Sequence, residues 1–297
     1  MRTTPGPRTG PRTLRHSYGT ASVQAGELYL PPGGGPHPVV VLVHGGFWAA
    51  IFDRTQTAPL AEHLAGQGYA VWNIGYRGVG EPGGGWPGTL LDTAAAVDAL
   101  ADLAPYGLDL ERVVAVGHSA GGHLACWSAA RGRLPAGAVG AGPRVRVRAA
   151  VSVAGVVDLR AGHTHRVGAV LADRTAAPPP DAPVPGRRHL AREVLPLMRV
   201  GAVAALLGGG PEEVPGRYGA ADPAELLPSG ATQLLVHGTA DAFVPVGVSR
   251  GYARAARAAG DRVELVELPG GGHFDVLDPA GTAWRTVVER LPGLAAG

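Results

Sequence analysis

Gly117-His118-Ser119-Ala120-Gly121-Gly122 stands between a β-branched run, Arg112–Val116, and a small-residue stretch that continues to about Arg131. The run reads as a strand, the stretch as a helix, and the glycine-rich hexapeptide as the bend that joins them. A serine at the crown of such a bend is lifted clear of the sheet in a strained backbone conformation. The positions two before and two after it are crowded by the strand and the helix, which is why glycine at 117 and 121 matters. A serine hydroxyl is a poor nucleophile near neutral pH and needs a base, itself oriented by a carboxylate. The partners are sought at the ends of other strands.

Working outward, the rest of the chain alternates strand and helix. Val39–Val43 is a continuous apolar run of the kind a buried parallel strand shows, and it ends in His44-Gly45-Gly46-Phe47-Trp48. Residues 57–67 carry Leu60 and Leu64 at helical spacing, and 69–74 read as the next strand. A glycine-rich loop (78–88) leads to a helix over 89–103 with Leu90, Ala94, Val97 and Leu100 on one side. Further strands are expected at 148–153, 233–236 and 262–268, with helices at 246–259 and 279–291. This alternation predicts an α/β architecture with a mostly parallel, doubly wound central sheet flanked by helices. In such sheets ligands sit at the carboxyl ends of the strands. Residues 160–200 break the rhythm with Pro178-Pro179-Pro180, Pro183 and Pro185, and are expected to form a cap-like insertion. Residues 1–19 are expected to be a disordered tail, leaving a single domain over 20–297.

Two strand ends supply the missing chemistry. Asp241 follows strand 233–236 and His273 follows strand 262–268, so the chain order is Ser119, Asp241, His273. Asp158, Asp275 and Asp278 compete for the carboxylate role; Asp158 follows a different strand, and Asp275 is too close to His273 in sequence to lie naturally under its ring. Attack on a carbonyl also needs donors aimed at the oxyanion. Backbone N–H groups of Gly45 or Gly46, with Phe47 a remaining possibility, are expected to form one arm, and that of Ala120 the other. Phe47 and Trp48 are expected to touch substrate. His123 is expected to pack or hydrogen-bond locally, Cys126 to be a buried small apolar residue, and His163-x-His165 to be a solvated loop despite its ligand-like spacing.

Composition narrows the field further. The 297 residues contain 26 cationic side chains, every one an arginine. Without lysine there is no Schiff base, no lysine on a nucleotide phosphate and no Ser–Lys dyad, so the base for Ser119 must be a histidine. One cysteine leaves no intrachain disulfide, multi-thiolate zinc site or iron–sulfur cluster. The formal charge of +2 with scattered arginines argues against a nucleic-acid partner, and no apolar stretch approaches the ~20 residues of a membrane span. Arginines at 2, 8, 12 and 15 with no apolar core are unlike a secretory leader, so a cytoplasmic location is expected, with no metal or cofactor.

Taken together, these segments resemble the α/β-hydrolases. His44-Gly45-Gly46-x-Trp48 is similar to the HGGxW motif of the kynurenine formamidase group and to the HGG motifs of small-molecule carboxylesterases. The Ser119 and Asp241 segments also resemble prolyl-oligopeptidase-like catalytic domains, although the chain has no room for their propeller. Hormone-sensitive-lipase-like esterases usually have a third glycine and an aspartate where this chain has Phe47 and His118, which moves the resemblance toward formamidases and feruloyl or acetyl esterases. The expectation is a serine hydrolase acting on a small-molecule carboxylic ester through an acyl-enzyme. The alternatives are an arylformamidase and a non-catalytic ligand-binding protein on the same scaffold.

Overall fold

A computed structural model describes residues 11–169, 194 and 196–296. Eight strands form one sheet in the order β1-β2-β4-β3-β5-β6-β7-β8. They are β1 (Arg12–Ser17), β2 (Ala25–Leu30), β3 (His37–Val43), β4 (Ala70–Ile74), β5 (Leu108–His118), β6 (Ala149–Val153), β7 (Thr232–Gly238) and β8 (Val263–Leu268). β1 runs antiparallel to β2 and β2 antiparallel to β4, whereas β4, β3, β5, β6, β7 and β8 are parallel. The expected architecture holds, with one addition: the β1–β2 pair extends the sheet at one edge. The tail expected to reach residue 19 is therefore corrected from Arg12 onward. Thr13 to Ser17 pair with Tyr29 to Ala25, and the mostly exposed, arginine-bearing strand masks the alternation that would have betrayed it. Residues 1–10 lie outside the described residues, as do 170–193 and 195 of the expected cap-like insertion.

Side chains along each strand alternate between two layers. Val39, Val41 and Val43 of β3 face one apolar cluster, together with α2 (Gly88–Asp98), the short α3 (Leu100–Leu103) and α4 (Ala120–Ala130). Val40 and Leu42 face the other, where α1 (Ala58–Gly66) and the C-terminal helix Thr282–Ala296 contribute Leu60, Leu64, Trp284, Val287 and Leu291. The expected helix over 89–103 is thus two pieces that meet at Ala99. Arg131, almost fully buried, pairs with Asp98 at 2.8 Å and ties the end of α4 to the end of α2.

The chain leaves β3 for β4 on one side, then returns past β3 to form β5 on the other. Loops after β3 and β5 therefore diverge at a topological switch point, where a crevice opens at the carboxyl end of the sheet. Val43 pairs with Gly117, and His118 with Val153, so the 44–48 loop and the Ser119 bend lie side by side there. Among the described residues no helix is long and apolar enough to cross a membrane.

Candidate active site

Ser119 occupies the bend between β5 and α4 with φ 54° and ψ −119°, a region that non-glycine residues rarely adopt. The packing around the bend holds it there. A Cβ on Gly117 would come within 2.0 Å of the Gly121 carbonyl oxygen, and one on Gly121 within 2.1 Å of the Val43 carbonyl oxygen. In both cases the obstacle is backbone, so neither glycine has a substitute. The Ser119 N–H donates to the Val153 carbonyl at 2.9 Å, which anchors the bend to the neighbouring strand.

The structure brings the three residues from separate strand ends together. Ser119 Oγ lies 3.0 Å from His273 Nε2, and His273 Nδ1 lies 2.7 Å from Asp241 Oδ2. With Nδ1–H donated to the carboxylate, Nε2 is free to accept the serine proton. Asp241 is itself fixed: Oδ1 accepts from the N–H groups of Phe243 and Val244, both at 2.8 Å. Its Oδ2 also lies 3.3 Å from Nε2 of His237, a fully buried imidazole that donates to the Val244 carbonyl. Burial alone would raise the Asp241 pKa, but the hydrogen bonds of His237 and His273, the charge on His273 and the Val244 N–H outweigh it and hold the carboxyl well below the usual range. His237, four residues before Asp241 at the end of β7, was not singled out from the sequence; its spacing to the aspartate was the available signal.

The rival carboxylates are engaged elsewhere. Asp158 caps α5 (Leu159–Thr164) by accepting from the Ala161 N–H at 2.8 Å. Asp275 accepts from the Gly272 N–H at 2.7 Å and Asp278 from the Ala280 N–H at 2.9 Å.

The 44–48 loop curls through successive left-handed residues, Gly46, Phe47 and Trp48, at φ 103°, 57° and 55°. Only glycine adopts the first without strain. The other two are locked by packing, Phe47 against Phe52 and Phe243, and Trp48 in the interior. Among the described residues no acceptor takes the backbone N–H of Gly45, Gly46, Phe47 or Ala120, whereas those of Gly122 and His123 in the first turn of α4 donate to the Ser119 carbonyl at 2.9 and 3.2 Å. The 45–47 segment and Ala120 flank Ser119: a Cβ on Gly45 would lie 3.2 Å from the Cβ of Ser119.

Phe47 lines a pocket at Ser119 together with Gly46, Phe52, Gln56, His118, His273 and Phe274. Trp48 does not, contrary to the expectation that it touches substrate. Its side chain is fully buried and its indole N–H donates to His123 Nδ1 at 3.1 Å, while His123 Nε2 donates to the Ala221 carbonyl at 2.9 Å. The bonds of His123 thus span long stretches of sequence rather than a local turn, and burial lowers its pKa to about 4. All four phenylalanines of the chain, Phe47, Phe52, Phe243 and Phe274, form one connected group around this site. Phe243 lies two residues after Asp241 and Phe274 directly after His273, but nothing in the sequence shows that they meet.

Cys126 is buried, and that burial pushes its thiol up to about 12, so it is no rival nucleophile. His163 stands edge-on to Tyr218, and among the described residues no group of His, Cys, Asp and Glu is placed to hold a metal ion.

The chain is similar to known esterases in sequence and in fold. The family model BD-FAE matches residues 27–182. Esterase LipC of Mycobacterium tuberculosis is 31% identical over 251 residues, covering 83% of this chain and 55% of LipC. The chain thus spans about half the length of the curated relatives it matches. Among solved structures, a truncated form of a carbohydrate esterase from gut microbiota superposes with TM-score 0.75 at 20% identity, covering 99% of this chain and 100% of that one. Esterase Est2 of the planctomycete Thermogutta terrifontis superposes with TM-score 0.65 at 24% identity, covering 96% and 91%. With more than half of its length matched by the family model, and with the α/β-hydrolase fold of these esterases, the chain belongs to the BD-FAE family.

Proposed function

We propose that this chain hydrolyses small carboxylic esters through an acyl-enzyme on Ser119. The observation that carries the reading is the hydrogen-bonded series Ser119 Oγ, His273 and Asp241, at 3.0 and 2.7 Å, set on a strained bend beside a pocket. His273 Nε2 takes the serine proton as Oγ attacks the ester carbonyl. Asp241, held ionised, keeps the imidazole in the Nδ1–H tautomer and stabilises the imidazolium that forms. Backbone N–H groups of the 45–47 segment and of Ala120 receive the oxyanion. Collapse of the tetrahedral intermediate expels the alcohol, which leaves with the proton from His273. Water, deprotonated by the same imidazole, then attacks the acyl-enzyme and releases the carboxylic acid. The esterase names of LipC and of the structural relatives support the same reaction class.

Phe47, Phe52 and Phe274 give the pocket an apolar wall, which favours substrates with an uncharged, apolar group beside the carbonyl. A panel of p-nitrophenyl esters of increasing acyl length, run beside an aryl formamide, tests the reading. Ester turnover abolished by Ser119→Ala is expected. Formamide turnover exceeding every ester would replace it with an arylformamidase, and failure to turn over either would leave a ligand-binding protein.

A further inference from the structure

The loop that carries His273 begins with Gly270-Gly271-Gly272, residues with the widest backbone freedom, yet a base must be held within a fraction of an ångström of its serine. Among the described residues, the main chain of His273 makes one hydrogen bond: its carbonyl lies 2.9 Å from Nε2 of His118. A carbonyl only accepts, so Nε2 of His118 carries the proton. The ring is buried, which lowers its pKa to about 3, an effect reinforced by the charge on His273. It therefore remains a neutral donor while His273 gains and loses its proton 4.8 Å away. On its other side the same residue supports the 44–48 loop. A Cβ on Gly45 would come within 2.9 Å of both Nδ1 and the carbonyl oxygen of His118, so these two segments are in close contact.

We propose that His118 is the positioning residue of this site: its Nε2–H holds the main chain of His273 at the serine, and its ring supports the loop that receives the oxyanion. His118 immediately precedes Ser119, so one rigid strand end indexes nucleophile, base and oxyanion loop to each other. The inference rests on the proposed catalytic reading of Ser119 and His273.

Two variants of equal side-chain length separate the donated hydrogen bond from mere filling of space. Gln at 118 can place an amide N–H near the position of Nε2, whereas Met has no donor. With thermal unfolding showing both folded, His118→Met is expected to lower kcat by at least about tenfold with KM within about twofold, because a misplaced base slows chemistry and leaves binding alone. His118→Gln is expected to recover most of that loss. A Met variant with wild-type kcat, a Gln variant as slow as Met, or a loss confined to KM would overturn the proposal. Nitrogen-15 NMR of the wild-type imidazoles provides a reading that needs no variant. A neutral Nε2–H tautomer at His118 is expected, and an Nδ1–H tautomer would contradict the proposal. Absence of both ester turnover and fluorophosphonate labelling in the wild type would overturn the catalytic reading with it; an active wild type matched by His118→Met overturns this inference alone.

Discussion

Replacing Asp241 by Asn changes one atom, and the geometry dictates what that atom does. Oδ1 accepts two backbone N–H groups, from Phe243 and Val244, at 2.8 Å each. The amide oxygen of Asn must take that place, because the reverse orientation would set NH2 against two donors and lose both hydrogen bonds, at about 1–3 kcal/mol each. The NH2 is then forced into the position of Oδ2, 2.7 Å from His273 Nδ1. To avoid a donor facing a donor, His273 adopts the Nε2–H tautomer and points its proton at Ser119 Oγ. An imidazole in that state cannot take the serine proton, and the carboxylate that stabilised the imidazolium is gone. Loss of both effects in serine hydrolases amounts to about ten-thousandfold in kcat, or ~5.5 kcal/mol of transition-state stabilisation. The assay is steady-state hydrolysis of a short-chain p-nitrophenyl ester, with far-UV circular dichroism and a thermal melt to show that the fold is kept. An Asp241→Asn enzyme within about tenfold of wild type would refute the tautomer argument and return the carboxylate role to another residue.

Three further outcomes follow from the same structure. Gly121→Ala sets a Cβ 2.1 Å from the Val43 carbonyl oxygen, with backbone on both sides of the clash. A loss of at least about 3 kcal/mol in urea unfolding is expected, and a stable, active variant would contradict the packing described at the bend. Trp48→Phe removes the donor to His123 Nδ1 in the interior; a loss of about 1–3 kcal/mol in stability with unchanged KM is expected, and a raised KM would restore Trp48 to the pocket. The buried imidazoles His118 and His123, lowered from 6.5 to about 3 and about 4, refuse protons that the unfolded chain binds, so their contribution to stability is lost as pH falls below about 6.5. Asp222, raised by burial from 3.8 to about 7, acts with the opposite sign over about 4–7, so Asp222→Asn should steepen the fall of Tm between pH 6.5 and 5.

The legible parts of this molecule were those where local chemistry and global position coincide. The β-branched runs of β3 and β5 end directly in His44 and Ser119, so period, turn glycines and reactive residues point to one architecture. Asp241 and His273 were likewise legible because each follows a strand whose carboxyl end faces the same crevice. Strand β1 was hidden because its exposed side chains do not alternate in hydrophobicity. Trp48 was misread for a different reason: proximity in sequence to Gly46 suggests a pocket wall, but in the left-handed turn through Gly46, Phe47 and Trp48 its indole lies in the core against His123. The contact of His118 with the His273 carbonyl spans 155 residues and has no local signature, so only the assembled sheet reveals it. The same holds for the phenylalanine group, whose members come from three loops, those after β3, β7 and β8.

The central claim is that Ser119 is an activated nucleophile. Incubating the folded protein with a fluorophosphonate probe, followed by intact-mass measurement and peptide mapping, tests it most directly. A single adduct on Ser119 is expected, absent from Ser119→Ala and much slower to form in Asp241→Asn. Folded wild-type protein that remains unlabelled, or that carries the adduct at another residue, would contradict it.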